Sequence, residues 1–137
     1  TLHVGLGTFS PIDEEDIRKH KMHAEFFSVS AQTISQLQIF QQNQQCIIGL
    51  GTTSVRVLET LALKNFQVSS GWTDIFIYPP HKFRIVNGLL TNFHLPKSTL
   101  LILVSAFCGR NFILGAYQQA ATEKYRFLSY GDCMMIL

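Results

Sequence analysis

The sequence predicts an α/β fold, a layered sandwich in which a mixed or mostly parallel sheet is flanked by helices. Three observations carry that expectation. Strand-like and helix-like hydrophobic patterns alternate along the chain. Cys46-Ile47-Ile48-Gly49-Leu50 is a short apolar run of the kind found inside a parallel sheet, and a helical pattern burying Val55, Leu58 and Ala62 follows it. Leu100 to Cys108 is a nearly all-apolar stretch entered through Pro96-Lys97-Ser98 and stopped by Gly109, which marks a core helix.

Taken in order, Thr1 to Leu6 alternates as a strand that leaves through Gly7. Ile12 to Lys19 reads as a short polar helix begun near Pro11, with Asp13, Glu14 and Glu15 where the helix dipole favours acid. A strand is expected over Glu25 to Val29. Ser30 then caps a helix whose buried stripe is Ile34, Leu37 and Phe40 and which Asn43 ends. Beyond the Cys46 to Leu50 strand, set in the interior of the sheet, and its helix, a meander is expected. Its strands are Asp74 to Tyr78 and Phe83 to Val86, with a turn at Asn87-Gly88 and an end at Phe93. Asn111 caps a last helix through Lys124, and Met134 to Leu137 forms a final strand. Gly5-Leu6-Gly7-Thr8 and Gly49-Leu50-Gly51-Thr52 repeat the same four residues after two strands, which chance or shared turn geometry explains as well as duplication does.

A chain of 137 residues with 47% hydrophobic and only 15% charged residues folds around an apolar core, which excludes a disordered tail or a long solvated coiled coil. The net charge of +2 is too small to announce a nucleic-acid or membrane partner by electrostatics alone. Cys46, Cys108 and Cys133 are dispersed in apolar surroundings without a C-x-x-C pair, so buried reduced thiols are expected rather than disulfides or a zinc site. No apolar run reaches the roughly 20 residues of a spanning helix. The chain reads as one α/β domain portion over residues 1–137, an excerpt that begins inside a domain.

Four constellations can carry chemistry. Gly49-Leu50-Gly51-Thr52-Thr53-Ser54 joins a strand to a helix, where free N–H groups and hydroxyls can hold an anion and Arg56 can fork onto it; a simple capped helix fits the same residues. It lacks the third glycine of a dinucleotide fingerprint and the Gly-Lys of a P-loop. His20, His23 and Glu25 form an acid–base candidate whose spacing fits no common zinc motif, with solvated surface histidines as the plain alternative. Thr91-Asn92-Phe93-His94 places an amide and an imidazole at a strand end before a helix, where open α/β sheets bind ligands. Tyr125-Arg126-Phe127 with Tyr130-Gly131-Asp132 is a second polar-aromatic cluster, equally compatible with core aromatics beside an ion pair.

Read together, the same segments resemble the S-adenosylmethionine:tRNA ribosyltransferase-isomerases of queuosine biosynthesis along the whole chain. The resemblance rests on Thr1 to Gly5, Met22-His23-Ala24-Glu25, Gly51 to Arg56, Ile75 to Pro79, Thr91 to Pro96, Val104 to Phe107, and Tyr125 to Asp132. Pro80, Asn87, Cys108 and Cys133 depart from the usual glycine, aspartate and small residues. The resemblance implies the C-terminal portion of a longer enzyme, without its N-terminal part and inserted β-barrel domain. It further implies transfer and isomerisation of the ribosyl part of S-adenosylmethionine onto 7-aminomethyl-7-deazaguanine in tRNA, giving epoxyqueuosine, adenine and methionine.

In that chemistry the sulfonium acidifies the neighbouring 5′ carbon, an acid assists departure of adenine, and the aminomethyl ammonium loses a proton before attack. On that basis His23 with Glu25 is assigned proton transfer and Asp132 the aminomethyl cation. Thr52, Thr53, Ser54 and Arg56 are assigned an anionic substrate group, and Asn92, His94, Arg126 and Tyr130 the pocket. No metal is expected, since the cysteines are dispersed and His20, His23 and Glu25 lack standard ligand spacing; no membrane partner and a cytoplasmic location are expected as well, and a monomer is favoured with the oligomeric state left open. A non-catalytic nucleotide- or RNA-binding fragment is the alternative; a methyltransferase is the lesser one, lacking its Gly-rich loop and acidic ribose ligand.

Overall fold

The computed structural model describes residues 1–5, 12, 14 and 16–137. In chain order the elements are β1 (Leu2–His3), a 3-10 turn (Ile17–Lys19), β2 (Glu25–Ser28), α1 (Ala31–Gln42), β3 (Ile48–Leu50), α2 (Thr52–Leu63), β4 (Ser70–Thr73), β5 (Gly88–Asn92), α3 (Thr99–Cys108), α4 (Arg110–Thr122) and β6 (Cys133–Ile136). The architecture is α/β, with two small sheets flanked by helices. One sheet, β1-β2-β4, is antiparallel throughout. The other, β3-β5-β6, is mixed: β3 runs parallel to β5 and β6 antiparallel to it.

The caps explain the helix starts. The Ser30 hydroxyl accepts from Thr33 N at 3.1 Å ahead of α1, and the Ser98 hydroxyl accepts from Leu101 N at 3.2 Å ahead of α3. Gly109, at φ +86°, both ends α3 and begins α4, so Asn111 lies inside the last helix instead of capping it. Among the described residues of the expected Ile12 to Lys19 helix, Ile17–Lys19 forms a 3-10 turn capped by Asp16. Ile12 instead donates its backbone N–H to Lys97 O at 2.9 Å. Pro11, Asp13 and Glu15 lie outside the described residues, as do Leu6, Gly7 and Thr8 of the first strand and of the repeated tetrapeptide.

α2 is the shared wall of the core. Val55 and Ala62 join the larger apolar cluster with Leu89, Leu103, Val104 and Ile113, while Val57 and Leu61 pack on Phe27 of the antiparallel sheet. α3 therefore packs on the sheet as its apolar composition predicts. The β3 strand does not lie in the sheet interior. Ile47 and Gly49 are buried but Ile48 and Leu50 are 37% and 66% exposed, so burial alternates, and among the described residues β3 pairs with β5 alone. The apolar run thus belongs to an edge strand. Phe40 is 41% exposed and leaves the stripe of α1 to Ile34 and Leu37. Cys46 and Cys133 are exposed rather than buried, and Cys108 is half-buried.

The expected meander is replaced by an irregular segment, for a reason visible in its hydrogen bonds. The Glu59 carboxylate, fully buried on α2, accepts from Arg84 N at 2.9 and 3.1 Å, Ile85 N at 3.1 Å and Val86 N at 3.2 Å. Those N–H groups are unavailable to a strand partner. The paired strand lies earlier, at β4, where Ser70 to Thr73 register with Ser28 to Glu25. Asn87 is no hairpin turn: its Oδ1 accepts from Ile47 N at 2.9 Å and its N–H donates to Ile47 O at 2.8 Å, so it leads β5 into parallel pairing with β3. An aspartate there would supply the same acceptor.

Glu59→Ala leaves three backbone donors without an acceptor and is expected to cost about 3 kcal/mol or more. Urea unfolding measures the loss, and amide exchange should show protection disappearing first over residues 84–86.

Candidate functional site

A cavity of about 250 Å³ opens at the C-terminal ends of the parallel strands β3 and β5. Its wall is built by three segments: Leu50 to Ser54 from the β3–α2 turn, Thr91 to Leu95 with Ser98 beyond β5, and Leu128-Ser129. The turn is fixed by glycine at two points. A Cβ on Gly49 would stand 2.5 Å from Val55 Cγ2, so the strand can approach the helix this closely only without one; Gly51 enters α2 at φ +82°. Gly51 has no side-chain cap to offer, so the first N–H groups of α2 lie at the cavity floor among the Thr52, Thr53 and Ser54 side chains.

His94 is the one imidazole on the described wall. Its Nε2 stands 2.9 Å from the hydroxyl of the buried Thr91, and its backbone N–H donates to the Tyr117 phenol at 3.0 Å. Burial holds the imidazole pKa down to about 4, so the ring is neutral at physiological pH. Asn92 donates Nδ2 to the carbonyls of Asp132 at 3.2 Å and Gly131 at 3.4 Å, which docks the 126–132 loop against the strand end. The described lining carries no ionised side chain. Hydroxyls, an amide, helix N–H groups and a neutral imidazole can orient an uncharged polar ligand surface.

The structure divides the residues that sequence reasoning placed together. Thr52, Thr53, Ser54, Asn92 and His94 meet in the cavity. Asp132 and Arg126 do not line it: Asp132 Oδ2 accepts from Arg126 N at 2.7 Å and Oδ1 lies 3.8 Å from Arg126 Nη2, so Asp132 closes the loop. Tyr130 is 98% exposed and lines nothing. His23 is exposed and Glu25 buried, both away from this wall.

Arg56 is corrected outright. Its side chain points into the core, where Nη1 donates to Glu25 Oε2 at 2.7 Å, Nη2 to the carbonyls of His23 at 3.1 Å and Thr73 at 3.2 Å, and Nε to Ile75 O at 3.2 Å. Burial pushes its pKa down, opposed by Glu25 and Asp74. A guanidinium so engaged cannot clamp a substrate anion, and its carboxylate partner Glu25 is held with it in the core at 2% exposure. Sequence reasoning missed Ser98 and Ser129 as lining residues and included Thr91 only as part of the strand-end segment, without a role of its own. Ser98 had a signal, since it falls beside the singled-out strand end.

Among the described residues no three His, Cys, Asp or Glu side chains gather as metal ligands, and no single helix is long and apolar enough to cross a membrane. An uncharged cavity over a helix N-terminus at the ends of parallel strands occupies the place where open α/β domains bind small molecules. Residues 1–136 match the family described as queuosine biosynthesis protein, and the chain belongs to that family.

It is 57% identical over its whole length to the S-adenosylmethionine:tRNA ribosyltransferase-isomerase of Sulfurihydrogenibium sp. (strain YO3AOP1), and 54% identical over 99% of its length to that of Clostridium kluyveri. The chain spans about 40% of the length of these relatives. A crystal structure of the S-adenosylmethionine tRNA ribosyltransferase from Thermotoga maritima, 46% identical, superposes on 82% of this chain and 40% of its own with a TM-score of 0.76.

Two outcomes test the site as described. Arg56→Ala removes the guanidinium from the buried Glu25 carboxylate and from three carbonyls and is expected to cost about 3 to 5 kcal/mol, whereas joint replacement as Arg56→Met with Glu25→Leu should recover most of it. Urea titration of the single and double variants measures both. For His94, the unfolded chain takes up a proton near pH 6.5 that the folded imidazole accepts only near 4, so stability should fall as pH drops through that window. His94→Gln should flatten that part of the profile, read as unfolding midpoint against pH.

Proposed function

We propose that the chain is the C-terminal portion of an S-adenosylmethionine:tRNA ribosyltransferase-isomerase. The enzyme moves the ribosyl part of S-adenosylmethionine onto 7-aminomethyl-7-deazaguanine in tRNA in the cytoplasm, with epoxyqueuosine, adenine and methionine as products. Family membership supports the reaction class. The observation that carries the placement of chemistry is the uncharged cavity with its neutral imidazole.

The adenosyl end of the substrate is its uncharged part, and hydroxyl, amide and imidazole donors match ring nitrogens and ribose oxygens. Departing adenine gathers negative charge on its ring, and a fixed donor at that ring stabilises the departure without surrendering a proton. His94 is positioned for that task by the β5 end and Tyr117. The N-terminus of α2 offers its partial positive charge to a substrate carboxylate. His23, exposed on another face, and Asp132, which does not line the cavity, stand outside this set.

The experiment follows label in the full-length protein. With S-adenosylmethionine labelled in the ribose and tRNA bearing the aminomethyl base, ribose label should enter tRNA with one free adenine per transfer. Methyl label in tRNA, or binding without turnover, overturns the reading. His94→Gln should lower single-turnover adenine release by about a hundredfold while substrate affinity changes far less.

A further inference from the structure

We infer that Thr91 is a positioning residue that fixes the tautomer of His94, so that the imidazole presents an Nδ1–H donor to the purine ring of the bound substrate. The inference rests on the reading above for the identity of the ligand, but not for the tautomer itself.

Counting donors decides the tautomer. Thr91 sits on β5 at 6% exposure, and its hydroxyl has one polar partner among the described residues, His94 Nε2, at 2.9 Å. A hydroxyl carries one donor, and a buried one that is left unplaced loses its hydration without compensation. The only acceptor paired with it is Nε2, so the hydroxyl donates and Nε2 carries no proton. A neutral imidazole has one N–H, which then resides on Nδ1. That nitrogen has no partner among the described residues, while the ring lines the cavity beside Asn92 and Thr53.

The reverse arrangement, with Nε2–H donating to Thr91, would leave the hydroxyl proton without an acceptor among the described residues, dependent on whatever fills the cavity that Thr91 also lines, and would turn the Nδ1 lone pair toward the ligand. It would then select a ligand N–H. The inferred Nδ1–H tautomer instead selects a ligand acceptor, such as a purine ring nitrogen. The backbone of His94 is held separately by the Tyr117 phenol, so Thr91 governs ring orientation and tautomer rather than the position of the chain.

The test uses imidazole-15N-labelled full-length protein. The nitrogen shifts of His94 should report protonated Nδ1 and unprotonated Nε2 near neutral pH. Thr91→Ser, which keeps the hydroxyl, should preserve that pattern and hold single-turnover adenine release within about threefold of the parent. Thr91→Val, similar in shape, should give mixed or exchanging tautomers and slow release by about tenfold or more.

A His94 spectrum with the proton on Nε2, or equal rates for the serine and valine variants with an unaltered tautomer, overturns the inference while leaving the ribosyl-transfer reading intact. If the parent releases no adenine in the label experiment, that reading fails, and the tautomer measurement still decides the role of Thr91. A valine variant that does not fold is replaced by Thr91→Ala, whose spectrum is read in the same way.

Discussion

The hydrogen-bonded ion pair between Arg56 and Glu25 is the constraint on which the arrangement depends. One guanidinium on α2 holds a carboxylate of β2 and three carbonyls, of His23 ahead of β2, of Thr73 at the end of β4 and of Ile75 beyond it. Four acceptors from two chain segments converge on one planar donor fork, a task to which arginine is suited and lysine is not. Burying both charges is expensive, and apolar residues of similar size can serve stability as well. What the pair supplies is geometry. It fixes the antiparallel sheet against α2, and α2 in turn carries its N-terminus to the cavity.

Glu59 has the complementary role, about a turn further along α2. Arg56 gathers acceptors on one side of the helix and Glu59 gathers donors on another, so each irregular stretch between strands is satisfied from within the helix rather than by a sheet ladder. The adjacent Thr60 extends the pattern, donating to Arg56 O at 2.8 Å and meeting the Thr73 hydroxyl at 2.6 Å. A helix with three such buried residues has surrendered some of its apolar face. It compensates by packing Val55 and Ala62 toward one cluster and Val57 and Leu61 toward the other.

This division explains what was legible in the sequence. Ser30, Ser98 and Gly109 announced helix boundaries because capping is local chemistry, and the α3 core helix followed from an apolar run that no surface could accommodate. The strands over Asp74 to Tyr78 and Phe83 to Val86 were misplaced because their alternation is genuine but their backbone donors and acceptors are claimed by side chains far away in sequence. Arg56 and Glu25 carried the same limitation into the site. Both look like functional residues in a motif, and only tertiary contact distinguishes a charge aimed at a ligand from one aimed at a carboxylate 31 residues away. Asn92 and His94 were legible because a strand end before a helix is a position defined by topology, which the alternating pattern does reveal.

Under the proposed function, the electrostatic character of the cavity favours one way for a charged substrate to lie. S-adenosylmethionine carries a sulfonium, an ammonium and a carboxylate, and the described wall offers no ionised side chain to any of them. At an effective dielectric near 20, an opposite charge about 4 Å away contributes about 4 kcal/mol, so a site that binds the cationic end must bring a carboxylate to it. Neither Glu25, held by Arg56 in the core, nor Glu59, enclosed by backbone N–H groups, meets that need. Asp132 is the acid nearest in sequence to the wall, and it braces the loop that Asn92 docks. The uncharged adenine and ribose are therefore the portions that this cavity accommodates at least cost, with the carboxylate within reach of the α2 N-terminus and the cationic groups directed outward, toward groups beyond the described wall.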